Sequence, residues 1–102
     1  MSKRVFERIG IDVSKLDIQS LESIATNAES KLVRYLTKLL GSRDEFNVIV
    51  NAYVNDCVNV YVDIEIFSSN PVNPMFKAEI DMIIDKVLEE IKNELKRRYG
   101  TK

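Results

Sequence analysis

Apolar and polar residues alternate through the segment FNVIVNAYVNDCVNVYVDIEIF, at positions 46–67. Alternation over this length predicts β-strands that bury one face and leave the other open. The polar pair Asn55-Asp56 divides the segment into two strands joined by a hairpin. The predicted buried face takes the even-numbered positions, which are Phe46, Val48, Val50, Ala52, Val54, Val58, Val60, Val62, Ile64 and Ile66.

The loop of this hairpin is constrained because directly opposed residues of an antiparallel pair lie on the same side of the sheet. A two-residue loop at Asn55-Asp56 would oppose Val54 to Cys57. Farther along the strands it would place buried residues opposite solvent-facing ones, such as Ala52 opposite Asn59. A three-residue loop at 55–57 instead opposes Val54 to Val58, so that both apolar sets share one face. We therefore predict the odd-length loop, although the dipeptide alone suggests a two-residue turn.

Two segments that flank the hairpin have apolar residues three and four positions apart, which predicts amphipathic helices. The first helix follows Asp17, a suitable N-cap, and ends at Gly41. The second runs from about Pro74 to Tyr99, with Asn73 as its cap. The apolar stripes are Leu21, Ile24, Ala28, Leu32, Tyr35, Leu36 and Leu39 in the first helix, and Phe76, Ile80, Ile83, Ile84, Val87, Ile91 and Leu95 in the second.

The N-terminal segment RVFERIGIDV gives a weaker signal. Ile9, Ile11 and Val13 alternate, which favours a short strand, whereas Gly10 argues against it. The alternative is that residues 1–8 form a flexible arm, because chain termini often fray. The resulting order is β-α-β-β-α, and it predicts an α+β fold with one domain over residues 1–102. In this two-layer sandwich the antiparallel hairpin packs under two helices.

The composition argues against an enzyme. The chain has no histidine, which removes the commonest general base and zinc ligand. Its three glycines, Gly10, Gly41 and Gly100, are too dispersed for a phosphate-binding loop. The single cysteine, Cys57, follows an acidic residue, which does not favour a thiolate. We predict no catalytic residues, no cofactor, no metal site and no small-molecule substrate.

Carboxylates occur in two patterns that could carry chemistry. Asp81, Asp85 and Glu89 lie one helical turn apart, a spacing that could hold a magnesium ion but is more typical of a solvated helix face. Asp63 and Glu65 alternate along one strand, where acid–base work would need a nucleophile that the sequence does not supply. We interpret this second pair as charges that keep a β-rich segment from aggregating.

No segment approaches the length of an apolar transmembrane helix, and the N-terminus MSKRVFERIG lacks the apolar run of a signal peptide. A single cysteine also fits a reducing compartment. We therefore expect a cytoplasmic protein with no membrane contact. The formal net charge of −1 gives no overall attraction to nucleic acid.

The solvent-facing side of the hairpin is the predicted interaction surface. It carries Ile49, Tyr53 and Tyr61 among several asparagines, a composition typical of protein interfaces. Base stacking on the two tyrosines is disfavoured because Asp63 and Glu65 would repel phosphate. Open strand edges offer a further route to association with another chain. We expect a protein partner or a homodimer.

A second hypothesis is a small RNA- or DNA-binding domain. Basic residues cluster at the end of the second helix, and others lie at the N-terminus. If the two groups meet, they would form a patch able to contact phosphates, although cations at a helix C-terminus are also favoured by the helix dipole. The nucleic-acid candidates are Lys92, Lys96, Arg97 and Arg98, joined by Lys102, with Lys3, Arg4 and Arg8 as the second group.

From Asp17 onward, the capped helix, the valine-rich hairpin ending in VYVDIEIF and the last amphipathic helix resemble a small uncharacterised archaeal family. The β-α-β-β-α layout is also similar to the small dimerising subunit of the KEOPS complex and its archaeal paralogue. That complex makes threonylcarbamoyl-adenosine in transfer RNA. The resemblance implies a non-catalytic subunit that dimerises, binds a catalytic subunit and is linked to tRNA modification.

Overall fold

The chain forms three strands and two long helices in the predicted α+β order, β-α-β-β-α, in a computed structural model that describes residues 2–41, 45–67 and 74–100. The elements are β1 (Ser2–Ile9), a short 3-10 turn (Val13–Lys15), α1 (Ile18–Leu40), β2 (Glu45–Val54), β3 (Val58–Phe67) and α2 (Pro74–Tyr99). The predicted cap Asn73 and most of the proline-rich connection before α2 lie outside the described residues.

The three strands form one antiparallel sheet in the order β1-β3-β2, with β3 in the centre. The hairpin register is the predicted one: Val54 lies opposite Val58, and Ile49 lies opposite Asp63. The three-residue loop at 55–57 is therefore confirmed. Because β3 is central, both its neighbours are edge strands.

The first strand lies at Ser2–Ile9, which is N-terminal to the alternation that suggested it. Residues 2–8 are thus an edge strand, and the flexible-arm interpretation is wrong for them. Val5 pairs with Val62 on the inner side of the sheet, and Phe6 pairs with Tyr61 on the outer side. Ile11, beyond Gly10, is fully buried without belonging to the strand.

Both helices begin and end where their sequences favour it. The carboxylate of Asp17 accepts a hydrogen bond from the backbone N–H of Gln19 at 3.1 Å, which caps α1. Gly41 ends this helix with a φ of 67°, a conformation that glycine adopts without steric cost. Between the helices, Lys31 and Glu90 form an ion pair at 2.9 Å.

The core lies between the inner face of the sheet and the two helices. The predicted helix stripes supply much of it, with Tyr35, Leu39, Phe76 and Ile83 only partly buried. Along β2 the inner residues are less covered than along β3, and Val54 at the hairpin end is 38% exposed. The buried side chains of the core cluster are Ile9, Ile11, Leu21, Ile24, Ala28, Leu32, Leu36, Leu40, Val50, Val58, Val60, Val62, Ile64, Ile66, Ile80, Ile84, Val87, Leu88, Ile91 and Leu95.

Within the described ranges, neither helix is both long and apolar enough to cross a membrane.

Candidate interaction surface

Among the described residues, one side of the sheet is left uncovered, because both helices pack against the other side. We call this side the outer sheet face. No helix or strand among the described residues covers it. Its members, read from the strand registers, are Ser2, Arg4, Phe6 and Arg8 from β1, Asn59, Tyr61, Asp63, Glu65 and Phe67 from β3, and Glu45, Asn47, Ile49, Asn51 and Tyr53 from β2.

The three residues predicted to form a protein interface all lie on the outer sheet face. Ile49 and Tyr53 are about half exposed, at 47% and 49%. Tyr61 is less exposed, since it sits on the central strand opposite Asn51 on one side and Phe6 on the other. The structure therefore brings the predicted residues into one neighbourhood around Asn51.

Phe6 is an interface candidate that sequence reasoning missed. It is 53% exposed and lies beside Tyr61 across the β1–β3 pair. Its neighbours Arg4 and Arg8 reach the same face, so the outer face carries cations that the hairpin alone does not supply. The sequence did not predict this strand because the inner-facing positions of β1 include Lys3 and Glu7, which break the apolar alternation.

The centre of the outer face contains a carboxylate with incomplete hydrogen bonding. Asp63 is only 15% exposed at its side chain, and Arg4 approaches its Oδ1 atom with Nε at 3.8 Å. This distance is an ion pair but is too long for a hydrogen bond. Oδ1 accepts no hydrogen bond from any residue that the structure describes. A binding partner that donates a hydrogen bond to this buried oxygen would remove the cost of leaving it unsatisfied and so stabilise the complex.

At the hairpin end of the face, Arg8 and Cys57 lie together. Arg8 Nε donates a hydrogen bond to the Cys57 sulfur at 3.4 Å, and this bond raises the pKa of Arg8 above its usual value. Arg8, like any arginine, is a cation at physiological pH. Cys57 itself is buried at the loop. The sequence suggested no basic neighbour for this thiol, because Arg8 reaches it only through strand pairing.

The basic residues at the end of α2 are partly neutralised by their own helix. Arg98 pairs with Glu94 at 2.9 Å, and Arg97 approaches the same carboxylate at 4.0 Å. Lys92 and Lys96 are half-buried on the same helix.

The second basic group is not gathered at that helix end. Lys3 pairs with Asp81 at 2.8 Å, near the start of α2. Asp81 precedes Lys96 by fifteen residues, which is about 22 Å along a helix. Lys3 is therefore far from Lys96, and Arg4 and Arg8 lie on the outer sheet face, the side of the sheet opposite to the helices. Lys102 lies outside the described residues.

The acidic row on α2 does not gather into a cluster. Asp81 forms an ion pair with Lys3, whereas Asp85 and Glu89 are exposed on the helix. In the part of the chain that the structure describes, no group of three or more acidic or cysteine side chains is close enough to hold a metal ion.

A second apolar region lies on the helix side of the molecule. A shallow groove between α1 and α2 is lined by Tyr35, Leu39, Met82 and Ile83. The Nζ atom of Lys86 lies 5.1 Å from the centre of the Tyr35 ring, a cation–π contact at the rim of the groove.

A crystal structure of a protein from Thermococcus onnurineus NA1 has a similar fold. The TM-score is 0.69 at 16% sequence identity, and the match covers 95% of this chain and 94% of that chain. A likeness at this identity shows a fold shared with an archaeal protein. No protein-family model matches the chain, and no curated protein matches it. The resemblance to the KEOPS subunit stays a prediction.

Proposed function

We propose that this protein is a non-catalytic interaction subunit whose outer sheet face binds a protein surface. The observation that carries the proposal is an uncovered sheet face with Phe6, Ile49 and Tyr53 about half exposed. Large apolar side chains grouped on one face and rimmed by polar residues are typical of a binding surface. Tyrosine and phenylalanine contribute much buried area on association with few rotamers to immobilise.

The charges of the outer face favour protein over nucleic acid. Two arginines, Arg4 and Arg8, stand against three carboxylates, Glu45, Asp63 and Glu65, which leaves a net charge of −1. Sheets that bind single-stranded nucleic acid combine their aromatic residues with a positively charged track for the phosphates. The Asp63 oxygen without a hydrogen bond instead suits a donor from a protein partner.

A link to tRNA modification rests on the resemblance in layout alone. Under that link the partner is a catalytic subunit, and this chain contributes a surface and no reacting group. The absence of histidine from the sequence supports the non-catalytic part of the proposal.

The test removes apolar area from the outer face without touching the core. Ile49→Ser and Tyr53→Ser change exposed residues, and Val33→Ser on α1, where Val33 is 40% exposed, is the matched control. Mass in solution and capture of partners from the source cells are measured for each variant. We expect the wild type and the control variant to associate with a partner. The association constant of each outer-face variant should be at least tenfold lower.

Two results would contradict the proposal. One is a strictly monomeric wild type that captures no partner. The other is association that survives both outer-face substitutions unchanged.

A further inference from the structure

The strand registers arrange the outer sheet face in rows that run across the three strands. Adjacent rows lie about 7 Å apart, since two residues of a strand separate them. From the end away from the hairpin loop, the rows are Phe67 with Glu45, then Ser2, Glu65 and Asn47, then Arg4, Asp63 and Ile49, then Phe6, Tyr61 and Asn51, and last Arg8, Asn59 and Tyr53.

Charge is distributed unevenly over these rows. The three rows away from the loop carry three carboxylates, Glu45, Asp63 and Glu65, and one cation, Arg4, which leaves a net charge of −2. The two rows beside the loop carry a single charged residue, Arg8. We call the three rows with the carboxylates the acidic half of the face. Its charge is complementary to that of a basic partner.

Asp63 lies in the middle of the face, on the central strand between Arg4 and Ile49. Arg4 neutralises it weakly, because this arginine is 65% exposed at its side chain and stays 3.8 Å away. A hydrogen bond from a charged donor to a carboxylate is about twice as strong as a neutral one. Rotation of the carboxylate exchanges its two oxygens, so that either atom can turn towards a donor that arrives from solvent. Asp63 therefore favours a cationic donor from outside the chain.

The row next to Asp63 adds an aromatic surface. Phe6 lies diagonally across from Asp63 and is 53% exposed, and Tyr61 follows Asp63 on the same strand and face. A guanidinium group is planar, so it can donate two hydrogen bonds to a carboxylate and also lie against an aromatic ring. A carboxylate beside an exposed ring therefore suits an arginine better than a neutral donor.

We propose that the outer sheet face binds a protein segment that carries an arginine, with its guanidinium on Asp63 and against Phe6. An apolar side chain next to this arginine packs on Ile49, which is 47% exposed. The inference rests on the proposed function and names the chemistry of the partner.

Other occupants fit the acidic half less well. A second copy of the chain brings only Arg4 and Arg8 on its own outer face, and these already contact Asp63 and Cys57. Nucleic acid would place phosphates against the carboxylates. Among the described residues, no three acidic or cysteine side chains lie close enough together to bind a metal ion.

A peptide selection identifies the preferred side chain without a known partner. A phage-displayed library of random linear peptides is selected on the wild-type protein and, in parallel, on Asp63→Asn, which keeps the shape of the side chain and removes its charge. We expect the wild type to enrich peptides in which an arginine lies within two positions of a large apolar residue. Asp63→Asn should lose this enrichment.

Binding constants then measure the contact. The most enriched peptide is synthesised with its arginine and with glutamine in its place, and fluorescence anisotropy gives the Kd of each. We expect the glutamine peptide on the wild type, and the arginine peptide on Asp63→Asn, to bind at least tenfold more weakly. Combining both changes should weaken binding little further, because the two groups act through one contact. Glu89→Gln, at an exposed carboxylate on α2, is the matched control and should leave the Kd unchanged.

Several outcomes would overturn the inference. They are a wild type that enriches no peptide, enriched peptides that lack arginine, and binding indifferent to the glutamine peptide or to Asp63→Asn. A purified dimer that dissociates in Asp63→Asn would assign the face to a second copy. A single-stranded RNA oligonucleotide that displaces the peptide would assign it to nucleic acid. Either result also overturns the arginine site.

The arginine site and the proposed function fail in different ways. Association with the natural partner that is lost in Ile49→Ser and Tyr53→Ser, but unchanged in Asp63→Asn, overturns the arginine site and leaves the proposed function standing. Peptide binding that depends on arginine and on Asp63, together with natural association indifferent to both serine variants, overturns the proposed function and leaves the site.

Discussion

Asn59 Nδ2 donates a hydrogen bond to Asn55 Oδ1 at 3.0 Å, which ties the start of β3 to the loop that precedes it. The same amide donates to the carbonyl of Cys57 at 3.3 Å, and Asn55 Oδ1 also accepts from the Cys57 N–H. Asn59 occupies an outer-face position, yet it is only 2% exposed. The buried Asn59 amide therefore links the Asn55 side chain to the Cys57 carbonyl within the three-residue loop.

We expect Asn59→Ala to lower the free energy of unfolding by about 1–3 kcal/mol. The substitution deletes two hydrogen bonds, each worth about 0.5–1.5 kcal/mol. Asn47→Ala, at an exposed position on the neighbouring strand, should change it by less than about 0.5 kcal/mol. Urea denaturation of both variants measures the difference. Equal, small effects would show that the loop does not depend on this amide.

The hairpin shows what a sequence pattern can predict. The alternation of apolar residues and the rule that opposed residues share a face were enough to fix the register of β2 against β3 and the loop at 55–57. The burial of Asn59 was not predictable. It follows from the local fold of the loop, and alternation assigns Asn59 to the solvent side.

The first strand shows where the pattern fails. Alternation at Ile9, Ile11 and Val13 suggested a strand there, whereas the structure places it at Ser2–Ile9. An edge strand is only half covered, so its inner side tolerates Lys3, which pairs with Asp81 on α2. The outer-face position of Phe6 depends on the pairing of β1 with β3. It was missed because Lys3 and Glu7 break the apolar alternation of β1.

Core packing under the sheet gives a second prediction. Leu36 is fully buried in α1, and Leu36→Ala should reduce the free energy of unfolding by about 2–5 kcal/mol, because the cavity it leaves cannot close completely. Val33→Ala, on the exposed side of the same helix, should cost under about 1 kcal/mol. Thermal unfolding followed by circular dichroism compares them. A similar loss in both variants would argue that α1 is rotated from its position here.

The ion pair between the helices should contribute little. Lys31 Nζ and Glu90 Oε2 are 2.9 Å apart, but both side chains are more than a third exposed, so water and salt screen the pair. A double-mutant cycle with Lys31→Ala and Glu90→Ala should give a coupling free energy of about 0.2–1 kcal/mol that falls with added salt. A larger, salt-independent coupling would mean that the pair is shielded from solvent.

Nucleic-acid binding by the end of α2 is the alternative function, and it has a direct test. Arg97 and Arg98 share the carboxylate of Glu94, which offsets one of their two positive charges, and the chain as a whole has a formal net charge of −1. A single-stranded RNA oligonucleotide should show no measurable binding at about 150 mM salt, where non-specific contacts are already weak. The variant with Lys92, Lys96, Arg97 and Arg98 changed to Ala should behave like the wild type.

Fluorescence anisotropy at low and moderate salt measures both proteins. Affinity that weakens steeply with salt and disappears in the fourfold variant would contradict this expectation and favour the nucleic-acid hypothesis. Glu94→Gln is the informative companion, because it removes the neutralising carboxylate and leaves both arginines in place. If α2 carries a phosphate site held in check by Glu94, this variant should bind more tightly than the wild type. If the helix end is only a solvated terminus, Glu94→Gln should leave the anisotropy unchanged.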